Sequence, residues 1–197
     1  MTEAPNVARI RVAIAGTKPA IWRRVEVPLA ISLSELHEVI QAVMPWEDCH
    51  LFQFEIGSAR YGIPDPELDF GPDILDASAT RLANLLAEGI SKFVYVYDLG
   101  DDWRHEITVE KLGNAATRAK YPLFLEGVGR APPEDVGGIG GFYDFVKVMT
   151  KGAGRVRQEM IDWYGDVFDP ANIDAEQIKL NLAEIARLIP AGNTKRR

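Results

Sequence analysis

Residues 7–28 read VARIRVAIAGTKPAIWRRVEVP, and their spacing decides how the rest of the chain is built. Val7, Arg9 and Arg11 lie out of phase with Ile10, Val12 and Ile14. After the turn Gly16-Thr17-Lys18-Pro19, Ile21, Arg23, Val25 and Val27 fall on one side, and Trp22, Arg24 and Glu26 on the other. Period-two alternation flanking a Gly/Pro turn predicts a β-hairpin. Pro28 has no N–H for a ladder and closes the second strand.

Working outward, Ser32-Leu33-Ser34-Glu35 has the spacing of a capping box. The helix it starts places Leu33, Leu36, Ile40 and Val43 on one stripe and stops at Pro45. Residues 51–57 (LFQFEIG) read as a strand, and the acidic, Pro/Gly-rich stretch 64–76 as a loop. Arg81 to Glu88 reads as a short helix ended by Gly89. Phe93 to Tyr97 and Trp103 to Lys111 form a second hairpin across residues 98–102.

After Tyr121 the chain is rich in Pro, Gly and small residues, which predicts a long ordered loop over 122–141. Helices are expected at 141–151, at 155–164, and from Asp174 with Gln177 in the reciprocal capping position. The last buries Ile178, Leu182, Ile185 and Ile189. Strands early and helices late predict an α+β fold. Its antiparallel or mixed sheet comes from two hairpins plus a further strand, packed with helices, and its C-terminal third is helical. The expected organisation is one domain over 1–197: sheet-rich at 7–112, loop at 113–140, helical at 141–190.

The 197 residues carry 22 Lys plus Arg against 29 Asp plus Glu, a net charge of −7, which argues against a protein that coats phosphate backbones. One cysteine, Cys49, excludes an internal disulfide framework and a Cys-only zinc site. No apolar run reaches the roughly 18 residues of a membrane span, and Arg9 and Arg11 interrupt any signal-peptide core, so a cytoplasmic protein is expected. Charge is polarised. Residues 1–24 hold five bases and one acid, whereas residues 61–110 hold eleven acids and three bases. The basic hairpin reads either as a phosphate-facing patch or as strand arginines on a solvent face. The acidic run Asp65, Glu67, Asp69, Asp73 and Asp76 lacks the register of a calcium loop.

Dinucleotide, P-loop, nucleophile-elbow and zincin motifs are absent, and no cofactor is expected. Gly137-Gly138-Ile139-Gly140-Gly141 reads as a turn ahead of a helix or as N–H groups offered to an anion. His37, His50 and His105, with Cys49 beside His50, make a metal site only if the fold brings them together. The richest segment is Tyr97-Asp98-Leu99-Gly100-Asp101-Asp102-Trp103-Arg104-His105. Asp98 and Asp101 suit Asx-type turn bonding, and Trp103 and His105 share one face. It reads either as a self-capped hairpin or as a cluster for a small polar ligand.

Residues 16–25 (GTKPAIWRRV), 36–41 (LHEVIQ), 97–105 (YDLGDDWRH) and 132–138 (PPEDVGG) together resemble the plasmid pRi ORF-three-like family, whose members are often labelled transposon-passenger TnpR proteins. The resemblance runs from about residue 7 to Phe168-Asp169-Pro170. It implies a compact α+β domain of plasmid-borne and chromosomal prokaryotic genes with no established molecular activity. The family commonly carries cysteines near the positions held here by Phe124, Ala131 and Val136, so a thiolate metal site in that loop is not expected.

Three functions follow as expectations. The first is a small binding or interaction domain for a small polar ligand or a protein partner, with Asp98, Asp101, Trp103, His105, Glu134 and Asp135 as candidate binding residues. The second is a metal-dependent or acid/base enzyme using His37, His50 and His105 with Asp98 or Asp101. The third is a DNA-binding accessory of recombination using the basic hairpin.

Overall fold

A computed structural model describes residues 5–64 and 74–188. The elements are β1 (Val7–Ile14), β2 (Trp22–Pro28), α1 (Leu33–Val43), β3 (Phe52–Ile56), β4 (Ala59–Gly62), β5 (Ile74–Asp76), α2 (Leu82–Ala87), β6 (Lys92–Tyr97), β7 (Trp103–Gly113), β8 (Leu123–Val128), α3 (Gly138–Lys151), α4 (Gly154–Tyr164) and α5 (Ala175–Leu188). Among the described residues eight strands form one sheet in the order β5-β4-β3-β6-β7-β1-β2-β8, and only the β4–β5 pair is parallel. This is the expected α+β class, with both predicted hairpins in place.

Three expectations change. The stretch 113–140 contains β8, which pairs with β2. The helical part begins at Gly138 rather than 141. Ile74–Asp76, read as loop, pairs with β4 as an edge strand. The two strands, β5 and β8, lack strong apolar periodicity and take their conformation from a neighbouring strand's open ladder. Most of the acidic run at 64–76, Ile189 and the basic tail lie outside the described residues. At α5, Gln177 N–H donates to the Asp174 carboxylate as expected, but the Gln177 side chain donates to Asn181 instead of reaching back.

The inner face of the sheet presents Ile10, Val12, Val25, Val27, Phe54, Tyr95 and Ile107, all buried, to the Leu33, Leu36, Ile40 and Val43 stripe of α1. The α1 capping box is complete, with Ser32 accepting from Glu35 N–H while Glu35 accepts from Ser32 N–H. A Ser32→Ala variant is therefore expected to cost about 1 kcal/mol, read as a lowered urea midpoint at unchanged m-value. Helix α5 packs on α1 and β8, burying Ile178 and Leu182.

The outer face of the β1–β2 hairpin is a charge ladder. Arg9 pairs with Glu26, and Arg24 with Glu110 and Glu126. Arg11 and Arg24 sit directly opposite one another, a repulsive placement. Both lie over the Trp22 ring, 5.2 and 5.0 Å from its centroid. Arg23 departs from the solvent-face reading. It follows Ile21, Val25 and Val27 inward and is fully buried. Its Nε donates to Val43 O in the last turn of α1, where the helix dipole favours a cation. Its Nη1 donates to the carbonyls of Trp22, Val128 and Gly129.

Candidate functional site

The β6–β7 turn places Asp98 at φ 54°, in the left-handed region. Its Oδ1 accepts from Gly100 N–H (2.9 Å) and Asp101 N–H (3.3 Å), so one carboxylate oxygen builds the turn. The other, Oδ2, lies 3.7 Å from His50 Nε2. The segment 131–136 comes in from the far side. It is fixed by Trp46 Nε1–H donating to Pro132 O (2.8 Å) and by Glu47 N–H donating to Glu134 Oε1 (2.9 Å). Asp135 Oδ1 then stands 3.0 Å from His50 Nε2, and Glu134 Oε2 stands 4.0 Å from it.

Three carboxylates thus surround one imidazole nitrogen, which has almost no solvent contact and makes no aligned hydrogen bond. The Tyr97 hydroxyl donates to Glu134 Oε1 (3.0 Å) and accepts from Cys49 N–H (3.1 Å). Burial and the adjacent Glu134 carboxylate hold the Tyr97 phenol far above its ordinary range. Burial also raises the Glu134 carboxyl. Ligand atoms of His50, Asp98 and Asp135 all lie within 4.8 Å of one another, as do those of Cys49, His50 and Glu134. Donors bound at about 2.0–2.3 Å around a tetrahedral ion stand roughly 3.4 Å apart, so the cluster already has near-ligand spacing.

Of the sequence-predicted residues, Asp98, Glu134 and Asp135 meet at His50. Asp101 does not join them. Its Oδ2 accepts from Gly137 N–H (3.0 Å), so the anion met by the glycine-rich start of α3 is the protein's own carboxylate. Trp103 and His105 share a face as expected, but it is the inner one, and they are 1% and 0% exposed. Neither can touch a ligand from solvent.

The three histidines do not share a site, for among the described residues no three-ligand group contains two of them. His37 is occupied at both nitrogens, by the Tyr95 hydroxyl (2.7 Å) and by Asp48 (2.8 Å), and stacks on Phe52 at 3.7 Å. With Tyr95 donating to Nδ1 and accepting from Gln41, every donor is satisfied when Nε2–H faces Asp48. His105 packs against Tyr95 and edge-on against Trp46, with neither nitrogen hydrogen-bonded. Burial pushes its pKa down to about 4, partly offset by the backbone of Tyr95 and Trp103.

Beside the cluster lies a cavity of about 340 Å³ that shares Glu134 and Asp135 with it and also reaches Arg23, Arg130, Trp163 and Tyr164. Tyr97 and Arg130 were not among the sequence candidates, and Arg23 entered only as part of the basic hairpin. Arg23 carried a usable signal, its phase with Ile21, Val25 and Val27. Arg130 carried none, because its partners Tyr164 and Phe168 are distant in sequence.

Fold and cluster together define an α+β protein that gathers one imidazole and three carboxylates at the turn end of its central hairpin. The chain belongs to the family described as Plasmid pRiA4b ORF-3-like protein, which it matches over residues 6–177. It is 36% identical over 183 residues to the uncharacterized protein y4hQ of Sinorhizobium fredii, covering 92% of this chain and 93% of that one. It is also similar to the crystal structure of a protein of unknown function, MM3350, from Methanosarcina mazei Go1. There the TM-score is 0.79 at 30% identity, over 89% of this chain and 97% of that one. No described helix is long and apolar enough to cross a membrane.

Proposed function

We propose that this protein is a binding domain for a divalent first-row transition metal, held by His50, Asp98 and Asp135 with Glu134 alongside. The observation that carries this reading is the His50 Nε2 atom, ringed by three carboxylates at 3.0–4.0 Å and without an aligned hydrogen bond. One imidazole with oxygen donors suits zinc or manganese better than a soft-thiolate metal. A bound ion would neutralise carboxylates that otherwise repel one another. The DNA-accessory reading has less support, since Arg9 and Arg24 are paired with glutamates and Arg23 is buried.

Isothermal titration of the full chain with zinc, and separately with manganese, tests the proposal. About one equivalent of one of them is expected to bind. Asp98→Asn keeps the turn-building Oδ1, and together with Asp135→Asn it is expected to weaken binding by about a hundredfold, roughly 2.7 kcal/mol. Less than a tenth of an equivalent of either metal, or equal affinity in the double variant, would sink the reading.

A further inference from the structure

Cys49, the chain's one cysteine, is exposed and directly precedes His50. Ligand atoms of Cys49, His50 and Glu134 all lie within 4.8 Å of one another, a second donor set that shares His50 with the Asp98–Asp135 set. Both other members are placed to bind. His50 Nε2 is buried without an aligned hydrogen bond. Glu134 commits Oε1 to the Tyr97 hydroxyl and to Glu47 N–H, which turns Oε2 toward His50 Nε2 at 4.0 Å.

The Tyr97 hydroxyl holds this arrangement from behind. It accepts from Cys49 N–H (3.1 Å) and donates to Glu134 (3.0 Å), so one group fixes both the backbone that carries the thiol and the carboxylate that faces it. Cys49 Sγ lies 3.8 Å from the same hydroxyl, a loose contact for a side chain at the surface. Donors around tetrahedral zinc, with Zn–S about 2.3 Å and Zn–N or Zn–O about 2.0–2.2 Å, stand roughly 3.5 Å apart. A side-chain rotation at the exposed cysteine closes the difference.

Zinc and manganese, the two metals admitted above, differ in their attraction to sulfur: thiolate favours zinc, and manganese keeps to carboxylate and water. We infer that Cys49 is a conditional ligand that joins His50 and Glu134 on zinc and stays off manganese, so that this thiol makes the centre selective for zinc. The thiol proton leaves to solvent as the S–Zn bond forms. The inference rests on the metal reading in that it takes His50 as the common ligand.

The test titrates the full chain with cobalt(II), as a coloured stand-in for zinc, and separately with zinc and with manganese. Cobalt is expected to produce a thiolate-to-cobalt charge-transfer band in the near ultraviolet, lost in Cys49→Ser. That variant is expected to bind zinc at least tenfold more weakly (~1.4 kcal/mol), with manganese affinity within about twofold. Zinc, and not manganese, is expected to protect the thiol of the parent chain from alkylation by iodoacetamide, read by mass spectrometry. Cobalt bound without the band, or undiminished zinc affinity in Cys49→Ser, overturns the inference and leaves the metal reading standing. A thiolate band together with zinc affinity unaffected by Asp98→Asn and Asp135→Asn removes the Asp98–Asp135 reading and leaves Cys49 as a ligand. No binding of any of the three metals overturns both.

Discussion

Replacing Arg23 by Met is expected to lower the free energy of unfolding by about 3 kcal/mol or more, because four carbonyls lose their donor at once. Val128 O ends the edge strand β8 and Gly129 O follows it, Trp22 O lies in β2, and Val43 O closes α1. Each hydrogen bond from a charged group contributes about 1.5–3 kcal/mol when buried, and leaving buried partners unpaired is what makes such a loss severe. Arg23→Lys is expected to recover little, since one ammonium cannot reach carbonyls on both sides of a planar fork. The register supports the same view. Gly127 stands opposite Arg23 in the β2–β8 pair, and a Cβ there would lie 2.7 Å from Arg23 Cδ and 2.8 Å from Trp22 O. The strand leaves room for the arginine stem by omitting a side chain. Urea unfolding of the metal-free protein measures the effect, and a loss below 1 kcal/mol for Arg23→Met would contradict it.

The second large effect is on acid stability. The His105 pKa is lowered from 6.5 to about 4 in the fold by burial. Between those values the unfolded chain binds a proton that the folded one refuses, so stability falls as pH falls. Above pH 6.5 the site contributes no pH dependence; from pH 7.5 to 4.5 the expected loss is about 2.5 kcal/mol. Burial lowers His37 in the same direction, against the pull of Asp48, and adds to the trend. His105→Leu nearly conserves volume and removes two unpartnered nitrogens, so it is expected within about 1.5 kcal/mol of the parent at pH 7.5. At pH 4.5 it is expected to have lost about 2.5 kcal/mol less than the parent, roughly 5–10 °C in Tm. Thermal melts of both proteins across that range, in chelator, check this. Parallel pH profiles would show that the imidazole is not the group responsible.

Much of the site was visible in outline. Asp98, Glu134 and Asp135 were among the sequence candidates, the first in the turn of the 93–111 hairpin and the others in the Pro132-Pro133-Glu134-Asp135 segment. Asp98 serves the turn with one oxygen and faces His50 with the other. His105 and Trp103 were misplaced as ligand contacts. Alternation showed that they share a face, but which face is buried depends on α1 lying over the sheet. His50 could be suspected but not ranked above His37, because only tertiary neighbours show that one ring is hydrogen-bonded at both nitrogens and the other is not.

Local order in this chain determined the first hairpin, the capped α1, the 93–111 hairpin and the C-terminal helices. In each, the periodicity, turn chemistry or capping residues lie within a few positions of one another. The strand at 123–128, the burial of Arg23, the separation of the three histidines and the meeting of His50 with Asp98, Glu134 and Asp135 were decided only when the sheet closed. Those features join residues about 48 to 106 positions apart, and such pairings depend on packing and ladder hydrogen bonds that no local pattern encodes.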